Sequence, residues 1–230
     1  MRLKELREQV LEANLELVRR GLVLYTFGNA SGISRDEGLV VIKPSGVPYD
    51  SMTPADLVVT DLEGRTVEGS LRPSSDLATH LVLYKSYPGI GGIAHTHSRA
   101  ATSWAQASRE IPCFGTTHAD YFHGTVPVTK PLNAKEIRED YELNTGLAIV
   151  RCLGKRDPLG TPGVLVAGHA PFCWGATPAD AAHNAVLVEE IAAMALNTLT
   201  ANPKARPISR VLHEKHFFRK HGKSAYYGQK

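Results

Sequence analysis

The sequence predicts one mixed α/β domain in which helices and a sheet pack in layers. Short apolar runs with strand character alternate along the chain with amphipathic helical patterns, and this alternation is typical of a layered α/β fold. The 230 residues, with a mass of 25.0 kDa, are enough to bury a sizeable core. No internal repeat, low-complexity block or long Pro/Gly/Ser linker divides the chain, so we expect a single domain over residues 1–230.

The first predicted elements are a helix and two short strands. Apolar residues at helical spacing predict an amphipathic helix over residues 3–20, which Gly21 ends. Apolar, β-branched and aromatic residues predict strands over Val23–Phe27 and Leu39–Lys43. The glycine-rich segment 28–32 between them is predicted to form a turn.

The remaining elements alternate in the same way. The segment Thr53–Asp56 combines an N-cap, a proline at the first helical position and an acid in the first turn, which predicts the start of a helix. The segment Thr177–Asp180 repeats this signature. The other predicted elements are a helix from Ser75 or Asp76 toward Tyr87, a buried strand over Ile90–His97, a helix over Asn133–Val150, a strand over Val164–Ala167, a helix over about 178–199 and a basic terminal helix over 208–220.

The composition excludes several classes of protein. Hydrophobic residues make up 43% and charged residues 21%, as in ordinary soluble globular proteins. A net charge of +3 gives no reason to expect nucleic acid as a partner. No apolar stretch approaches ~20 residues and the N-terminus lacks a signal-peptide core, so we expect no membrane span. Three scattered cysteines, Cys113, Cys152 and Cys173, cannot make a disulfide framework, and a reducing cytoplasm fits best.

The sharpest local signal is the segment His95-Thr96-His97. On a strand, residues i and i+2 point to the same face, so His95 and His97 can present two imidazoles to one metal ion. His169 follows an apolar strand and is a candidate third ligand, which would leave an open, catalytic type of site. Asp76 is a possible fourth ligand or, alternatively, a helix N-cap. From the residues alone, two hydrogen-bonded histidines without a metal are the more common meaning of such a segment, so both interpretations stay open at this point.

Three short polar turns could together cradle a phosphate. They are Gly28-Asn29, Lys43-Pro44-Ser45-Gly46 and Arg72-Pro73-Ser74-Ser75. Glycine and serine expose backbone N–H groups, a helix N-terminus adds partial positive charge, and Lys43 supplies a formal charge. Each turn taken alone is ordinary turn chemistry, so the prediction depends on their convergence in space. A P-loop and a Gly-x-Gly-x-x-Gly motif after a strand are both absent, so no nucleotide cofactor is expected.

These motifs resemble the class II aldolase/epimerase superfamily and, within it, the L-ribulose-5-phosphate 4-epimerase family. The His-Thr-His segment marks the superfamily. The run Gly115–Phe122 and the terminal Tyr226-Tyr227-Gly228-Gln229 are the motifs typical of the epimerases. The resemblance extends essentially from end to end of the chain. It implies a three-layer α/β/α domain with a central, largely antiparallel sheet, assembled as a cytoplasmic homotetramer whose active sites lie between subunits and whose C-terminal tail, 208–230, docks at a subunit interface.

The resemblance also implies roles for individual residues. Zn²⁺, replaceable by Mn²⁺ or another divalent cation, would be held by His95, His97 and His169, with Asp76 nearby as ligand or base. Asp120 and Tyr227 would be the acid/base pair, with Tyr227 contributed by the adjacent chain. The residues implied to bind the substrate and its phosphate are Gly28, Asn29, Lys43, Ser45, Gly46, Ser74 and Ser75. The implied accessory residues at the shared site are Thr116, Glu142, His216 and Arg219.

The implied reaction interconverts L-ribulose 5-phosphate and D-xylulose 5-phosphate, as in arabinose catabolism. The C4–H bond of a 2-ketose is not adjacent to the carbonyl, so direct deprotonation gives no stabilised anion. Retro-aldol cleavage of C3–C4 instead gives an enediolate that a divalent cation can stabilise, after which the aldehyde turns over and re-adds. Two alternatives stay open: a class II aldolase acting on a sugar phosphate such as L-fuculose 1-phosphate, and a non-catalytic binding module of the same fold, as adducin heads are thought to be.

Overall fold

The fold is built on one seven-stranded sheet in which all neighbouring strands of the ladder are antiparallel. The computed structural model describes residues 1–222 and 225–227. The strands are β1 (Asn29–Ser34), β2 (Leu39–Ile42), β3 (Val58–Asp61), β4 (Thr66–Glu68), β5 (Gly92–His95), β6 (Gly163–Leu165) and β7 (Pro171–Gly175). Their order in the sheet is β4-β3-β2-β1-β5-β7-β6.

Helices cover both faces of the sheet. They are α1 (Lys4–Arg19), α2 (Leu77–Ser86), α3 (Arg99–Gln106), α4 (Thr116–Ala119), α5 (Ala134–Glu139), α6 (Tyr141–Leu153), α7 (Pro178–Ala201) and α8 (Arg210–Lys220). On one face, α1, α3 and α7 share an apolar core with residues such as Ala30 and Ala94 of the sheet. On the other face, α2 and α6 pack against residues such as Ile33 and Ile93. The predicted three-layer α/β/α arrangement with an antiparallel sheet is confirmed.

The first strand lies later in the chain than the sequence predicts. The predicted strand over Val23–Phe27 is wrong, because this segment is a loop in which Tyr25 has φ +52° and is 87% exposed. The predicted turn over 28–32 is instead the start of β1. The reason is packing: β1 is central and buried on both faces, so it needs small residues where α1 and α7 press against it. A Cβ at Gly32 would lie within 3 Å of Leu6, Val10 and Pro178.

Two predicted helices also differ from the structure. The segment at Thr53 forms only a turn, in which the Asp56 carboxylate accepts hydrogen bonds from the Thr53 N–H and hydroxyl before β3 begins. The predicted helix over Asn133–Val150 is divided at Asp140, whose φ of −160° ends α5 while its side chain caps α6. Short elements without a strong pattern, namely β3, β4, β7, α3 and α4, were not predicted.

The C-terminal segment carries α8, which packs against α4 of its own chain. Ser209 caps α8 by accepting a hydrogen bond from the Leu212 N–H. Within the predicted tail 208–230, residues 223, 224 and 228–230 lie outside the described residues, and they include Gly228 and Gln229 of the terminal motif. Over the described ranges, none of the helices combines the length and the apolar character that crossing a bilayer requires.

Candidate metal and anion site

Three histidines meet at the ends of neighbouring strands. His95 is the last residue of β5, and His97 follows two positions later. His169 lies in the tight turn between β6 and β7, where Gly168 adopts φ +71°. Because β7 pairs directly with β5, this turn lies beside the end of β5. The sheet order therefore brings together two ligand candidates that are more than seventy residues apart in sequence.

The geometry of the three imidazoles fits a metal ion. The Nε2 atom of His97 lies 3.1 Å from Nε2 of His95 and 3.2 Å from Nε2 of His169. Ligand atoms of all three residues fall within 4.8 Å of one another. A tetrahedral zinc ion with Zn–N bonds of about 2.0–2.1 Å separates its nitrogen ligands by roughly 3.3 Å. Two of the three nitrogen pairs thus lie close to the separation that a bound divalent cation requires, and the third pair of ligand atoms lies within 4.8 Å.

Surrounding groups orient the rings and keep them neutral. His95 Nδ1 lies 2.9 Å from the Pro171 carbonyl oxygen, which only accepts, so the proton is on Nδ1 and the Nε2 lone pair points to the cluster. His169 Nδ1 lies 3.2 Å from the Tyr141 hydroxyl. Desolvation lowers the pKa of His95 and of His97, and it lowers the pKa of His169 to about 4, with further lowering from the other two rings. Neutral imidazole is the form that binds a metal.

Asp76 lines the same cavity as the triad but does not act as a helix cap. It occupies the N-cap position of α2, yet its side chain makes no capping hydrogen bond. Instead, one carboxylate oxygen accepts a 2.7 Å hydrogen bond from the Asn29 side-chain amide. Burial acts to raise the pKa of Asp76, but the neighbouring His95 and His80 and the Asn29 bond outweigh it, and the pKa is lowered. The group of converging ligand atoms consists of His95, His97 and His169 and does not include the Asp76 carboxylate. That Asp76 binds the metal stays a prediction.

Asn29 is positioned by the backbone of Gly28. Gly28 has φ +76°, and a Cβ there would lie 2.7 Å from the His95 carbonyl oxygen, so no other residue fits without a shift. This close approach pairs Asn29 with His95 across β1 and β5. The Asn29 amide nitrogen donates to Asp76 and to the Ser74 hydroxyl, while its side-chain oxygen has no partner among the described residues. That buried acceptor can receive a hydrogen bond from a ligand hydroxyl.

The three polar turns converge beside the triad. The Ser74 N–H donates to the Lys43 carbonyl, and the Ser45 N–H donates to the Arg72 carbonyl, so the second and third turns pair edge to edge. A cavity of about 440 Å³ is bounded by both these turns and the histidines. The residues with predicted roles that line it are Gly28, Asn29, Lys43, Ser45, Gly46, Ser74, Ser75, Asp76, His95, His97, Glu142 and His169.

Lys43 is the positive charge of this cavity. It is only 2% exposed, and its ammonium lies 3.2 Å from the Pro44 carbonyl oxygen and 4.6 Å from the centre of the Tyr49 ring. Desolvation lowers its pKa to about 8. Within the part of the chain that the structure describes, no carboxylate forms an ion pair with it. A buried ammonium without a counter-charge is suited to bind an anionic ligand.

The other predicted site residues form a second cluster. The Asp120 carboxylate accepts two hydrogen bonds from Arg219, at 3.0 and 2.7 Å, and one from His216 at 3.0 Å. The ring of Tyr227 lies against the Arg219 guanidinium, 4.5 Å from ring centre to carbon. Burial acts to raise the pKa of Asp120, but the bonds from Arg219 and His216 outweigh it and the pKa is lowered.

This second cluster does not line the triad cavity of its own chain. Thr116 begins α4, and its carbonyl accepts from the Asp120 N–H, so it belongs to the same cluster. Asp120 and Tyr227 therefore come together on one chain, through α4 and α8, whereas the expected arrangement took Tyr227 alone from the adjacent chain. Of the four predicted accessory residues, only Glu142 lies at the triad cavity, where its carbonyl accepts a 2.6 Å hydrogen bond from Thr79.

Comparison with known proteins places this arrangement in a family. Residues 8–196 match the family described as Class II Aldolase and Adducin N-terminal domain. The chain belongs to this family. It is 55% identical over 228 residues to proteins named L-ribulose-5-phosphate 4-epimerase UlaF from Salmonella paratyphi C (strain RKS4594) and Salmonella choleraesuis (strain SC-B67), an alignment that covers 99% of this chain and 100% of each relative. The resemblance predicted from the motifs is confirmed.

Solved structures show the same class II aldolase fold. An L-fuculose 1-phosphate aldolase superposes with a TM-score of 0.79 at 23% identity, over 94% of this chain and 95% of the other. YgbL from Klebsiella pneumoniae, a putative aldolase/epimerase/decarboxylase, superposes with a TM-score of 0.72 at 23% identity, over 94% of this chain and 99% of the other. At this level of identity the likeness concerns the fold alone.

Two tyrosines of this class II aldolase domain were missed by sequence reasoning. Tyr141 lines the cavity and contacts His169, and Tyr49 packs its ring against Lys43. Neither lies in a motif with ligand spacing, and each reaches the site across a tertiary contact. The sequence signal that could have identified them is their proximity to predicted site residues, because Tyr141 directly precedes Glu142 and Tyr49 follows the Lys43 turn by a few residues.

Proposed function

We propose that this chain is an L-ribulose-5-phosphate 4-epimerase, an isomerase that interconverts L-ribulose 5-phosphate and D-xylulose 5-phosphate by cleaving and re-forming the C3–C4 bond. The observation that carries this proposal is the single cavity that joins three converging imidazole nitrogens to two serine turns and to a buried lysine without an ion-pair partner in the described part of the chain. A phosphorylated ketose has a carbonyl with a neighbouring hydroxyl, which a metal ion can bind, and a phosphate, which the lysine and the serine turns can bind. The full-length relatives at 55% identity carry the name of this activity.

We propose Zn²⁺ as the metal, held by His95, His97 and His169, with Asp76 beside it. Three nitrogen ligands with an open position suit a catalytic zinc site, and manganese is the proposed substitute. A cation held there would supply Lewis acidity toward the ketone oxygen and its neighbouring hydroxyl oxygen. The side-chain oxygen of Asn29 accepts from a substrate hydroxyl, and the Asp76 carboxylate fixes the Asn29 amide through the 2.7 Å bond.

The phosphate end of the substrate is assigned to the serine turns. Lys43 supplies the charge, and Ser45, Gly46, Ser74 and Ser75 supply hydroxyl and backbone N–H donors. A firm hold on the phosphate keeps the aldehyde fragment in place while it turns over, so the same two fragments rejoin. Gly28 contributes by its backbone, which brings Asn29 beside His95.

Two acid/base groups on opposite faces of the aldehyde complete the reaction, and we assign them to Asp120 and Tyr227. Both belong to the second cluster, with His216, Arg219 and Thr116, which lies away from the cavity of its own chain. We therefore propose a homotetramer in which one subunit supplies the metal and phosphate residues with Glu142, and its neighbour supplies the entire second cluster through the tail 208–230. The three cysteines are free thiols, which suits a cytoplasmic location.

The decisive experiment incubates the zinc-loaded protein with L-ribulose 5-phosphate and follows the products by NMR, alongside metal analysis of the purified protein. We expect D-xylulose 5-phosphate and about one metal ion per chain, as three ligands from each chain imply. Accumulation of dihydroxyacetone and glycolaldehyde phosphate would identify an aldolase instead. Metal-loaded protein that leaves the substrate unchanged contradicts the epimerase and favours a binding module.

A further inference from the structure

We propose that Tyr49 is a positioning residue of the anion site, which holds the Lys43 ammonium with its ring and the Phe27–Gly28 backbone with its hydroxyl. This inference rests on the proposed function only in taking Lys43 as an anion ligand. Tyr49 lies in the segment between β2 and β3 and is 5% exposed. Tyr49 does not line the cavity itself, but it contacts Lys43, Phe27 and Gly28, which do.

The first contact is between the aromatic face and the lysine. The Lys43 ammonium lies 4.6 Å from the centre of the Tyr49 ring, and its other close polar contact within the described ranges is the Pro44 carbonyl oxygen at 3.2 Å. A buried ammonium with so few partners loses most of its hydration, and a ring face recovers part of that loss. The ring therefore favours the charged form of Lys43 over the neutral form and restricts where its charge lies.

The second contact is between the hydroxyl and the loop before β1. The Tyr49 hydroxyl lies 2.9 Å from both the Phe27 and the Gly28 carbonyl oxygens, and its single proton is shared between them. Gly28 is held in the left-handed region by its close approach to β5, and it is followed directly by Asn29. The hydroxyl thus fixes the peptide from which Asn29 reaches the cavity.

The two contacts together are more than core packing requires. The ring lies among Leu39, Val41, Met52 and Leu57, where a phenylalanine would fill the same space. The ring contacts Lys43, and the hydroxyl contacts the backbone directly before Asn29. Tyr49 therefore connects the turn that contains Lys43 to the turn that contains Asn29. Tyr49 sets the relative position of these two ligand groups.

The test separates the ring from the hydroxyl by measuring sulfate binding to the EDTA-treated protein. Sulfate does not titrate near neutral pH, so calorimetry at a series of pH values reports the protonation of Lys43 through the loss of binding above its pKa of about 8. The variants are Tyr49→Phe, which keeps the ring, and Tyr49→Leu, which removes it. Tyr87→Phe is the matched control, because the Tyr87 hydroxyl has no hydrogen-bond partner among the described residues.

We expect Tyr49→Leu to weaken sulfate binding about tenfold or more and to move the pH midpoint of binding downward, since a desolvated cation–π contact is lost. We expect Tyr49→Phe to weaken binding about threefold with the midpoint unchanged, since only a neutral hydrogen bond is lost. The Tyr87→Phe control should bind as the wild type does. A purely structural role would lower affinity without moving the midpoint.

Three results overturn the inference: no sulfate binding by the wild type, a Tyr49→Leu variant that keeps the wild-type midpoint, or a Tyr49→Phe variant that moves it. If Tyr49→Leu does not fold, as judged by circular dichroism, Tyr49→Met supplies the variant without a ring. The test uses neither metal nor sugar. Failure to convert L-ribulose 5-phosphate would therefore contradict the proposed function and leave this inference standing.

Discussion

The two polar clusters of this chain differ in how their hydrogen-bonding groups are used. In the triad cavity, three imidazole nitrogens converge. Among the described residues, the Asn29 side-chain oxygen has no hydrogen-bond partner and Lys43 has no carboxylate counter-charge. In the second cluster, both oxygens of Asp120 are occupied by Arg219. The residues of the triad cavity lie at strand ends and in turns of the sheet, whereas the second cluster lies where the terminal helix α8 packs against the short helix α4.

This difference indicates two kinds of site. Groups left without protein partners in a buried place are costly unless a ligand satisfies them, so the triad cavity is built to bind. Charges that satisfy one another are already stable and lie in a fixed position, so the second cluster is built to present a preformed surface. A complete epimerase needs both, which is why we propose that they meet between subunits.

The triad cavity differs from the second cluster most clearly if its three histidines hold a metal ion. We expect His97→Ala to lose its metal and to lower kcat/KM by on the order of 10³ or more, the effect of losing several kcal/mol of electrophilic stabilisation. Elemental analysis of the purified variant, with circular dichroism for its fold, checks this. The exposed His183→Ala is the matched control. A His97→Ala protein that keeps its metal and full activity would falsify the metal site.

We expect the two clusters to meet across subunits, so that two differently inactivated chains complement each other. Inactive His97→Ala and Asp120→Asn chains, unfolded together and refolded as mixed oligomers, should regain about a quarter of wild-type activity, because each shared site draws one cluster from each of two chains. The control pair is Asp120→Asn with Tyr227→Phe, which should regain nothing, since both changes fall in the same cluster. Recovery with the control pair, or none with the first pair in verified hybrids, contradicts the shared site.

A smaller effect is expected from the ring-orienting contact of His169. Its Nδ1 lies 3.2 Å from the Tyr141 hydroxyl, which accepts the N–H when Nε2 binds a metal. Tyr141→Phe should weaken metal affinity by about 10-fold to 100-fold, as loss of an outer hydrogen bond to a ligand does. Competition with a chelator measures the affinity, and Tyr87→Phe is again the control. Equal affinities of Tyr141→Phe and the wild type would show that the triad is oriented by packing alone.

The smallest effect concerns stability in the second cluster. Asp120→Asn should lower the free energy of unfolding by about 1–3 kcal/mol at pH 7, because a carboxylate with charged donors is replaced. The folded pKa of Asp120 is lowered, so its contribution is complete above the usual Asp pKa of about 3.9 and is lost as the pH falls through the folded value. Denaturation at several pH values should show the two proteins converging in acid. If the difference in unfolding free energy between the two proteins stays constant down to acidic pH, the ion pair is not its source. The exposed Asp50→Asn serves as the control.

Sequence reasoning succeeded where chemistry is local and failed where packing decides. The i and i+2 spacing of His95 and His97 predicted two rings on one face, and their nitrogens do converge. The apolar segment Val23–Phe27 has a higher strand propensity than Asn29–Ser34, yet the latter is the strand. Small residues are poor strand formers in isolation, but a central strand pressed by helices on one face needs them.

The sequence by itself determined the family, the layered α/β class and the identity of the ligand groups, because motif residues and helical or strand periodicity are read along the chain. Only the tertiary structure decided that β7 lies beside β5, which brings His169 to His97, and that Tyr49 reaches Lys43. It also decided that Asp120 and Tyr227 stand apart from the triad cavity of their own chain. Strand order and helix docking depend on the burial of whole faces, a property that no local pattern records.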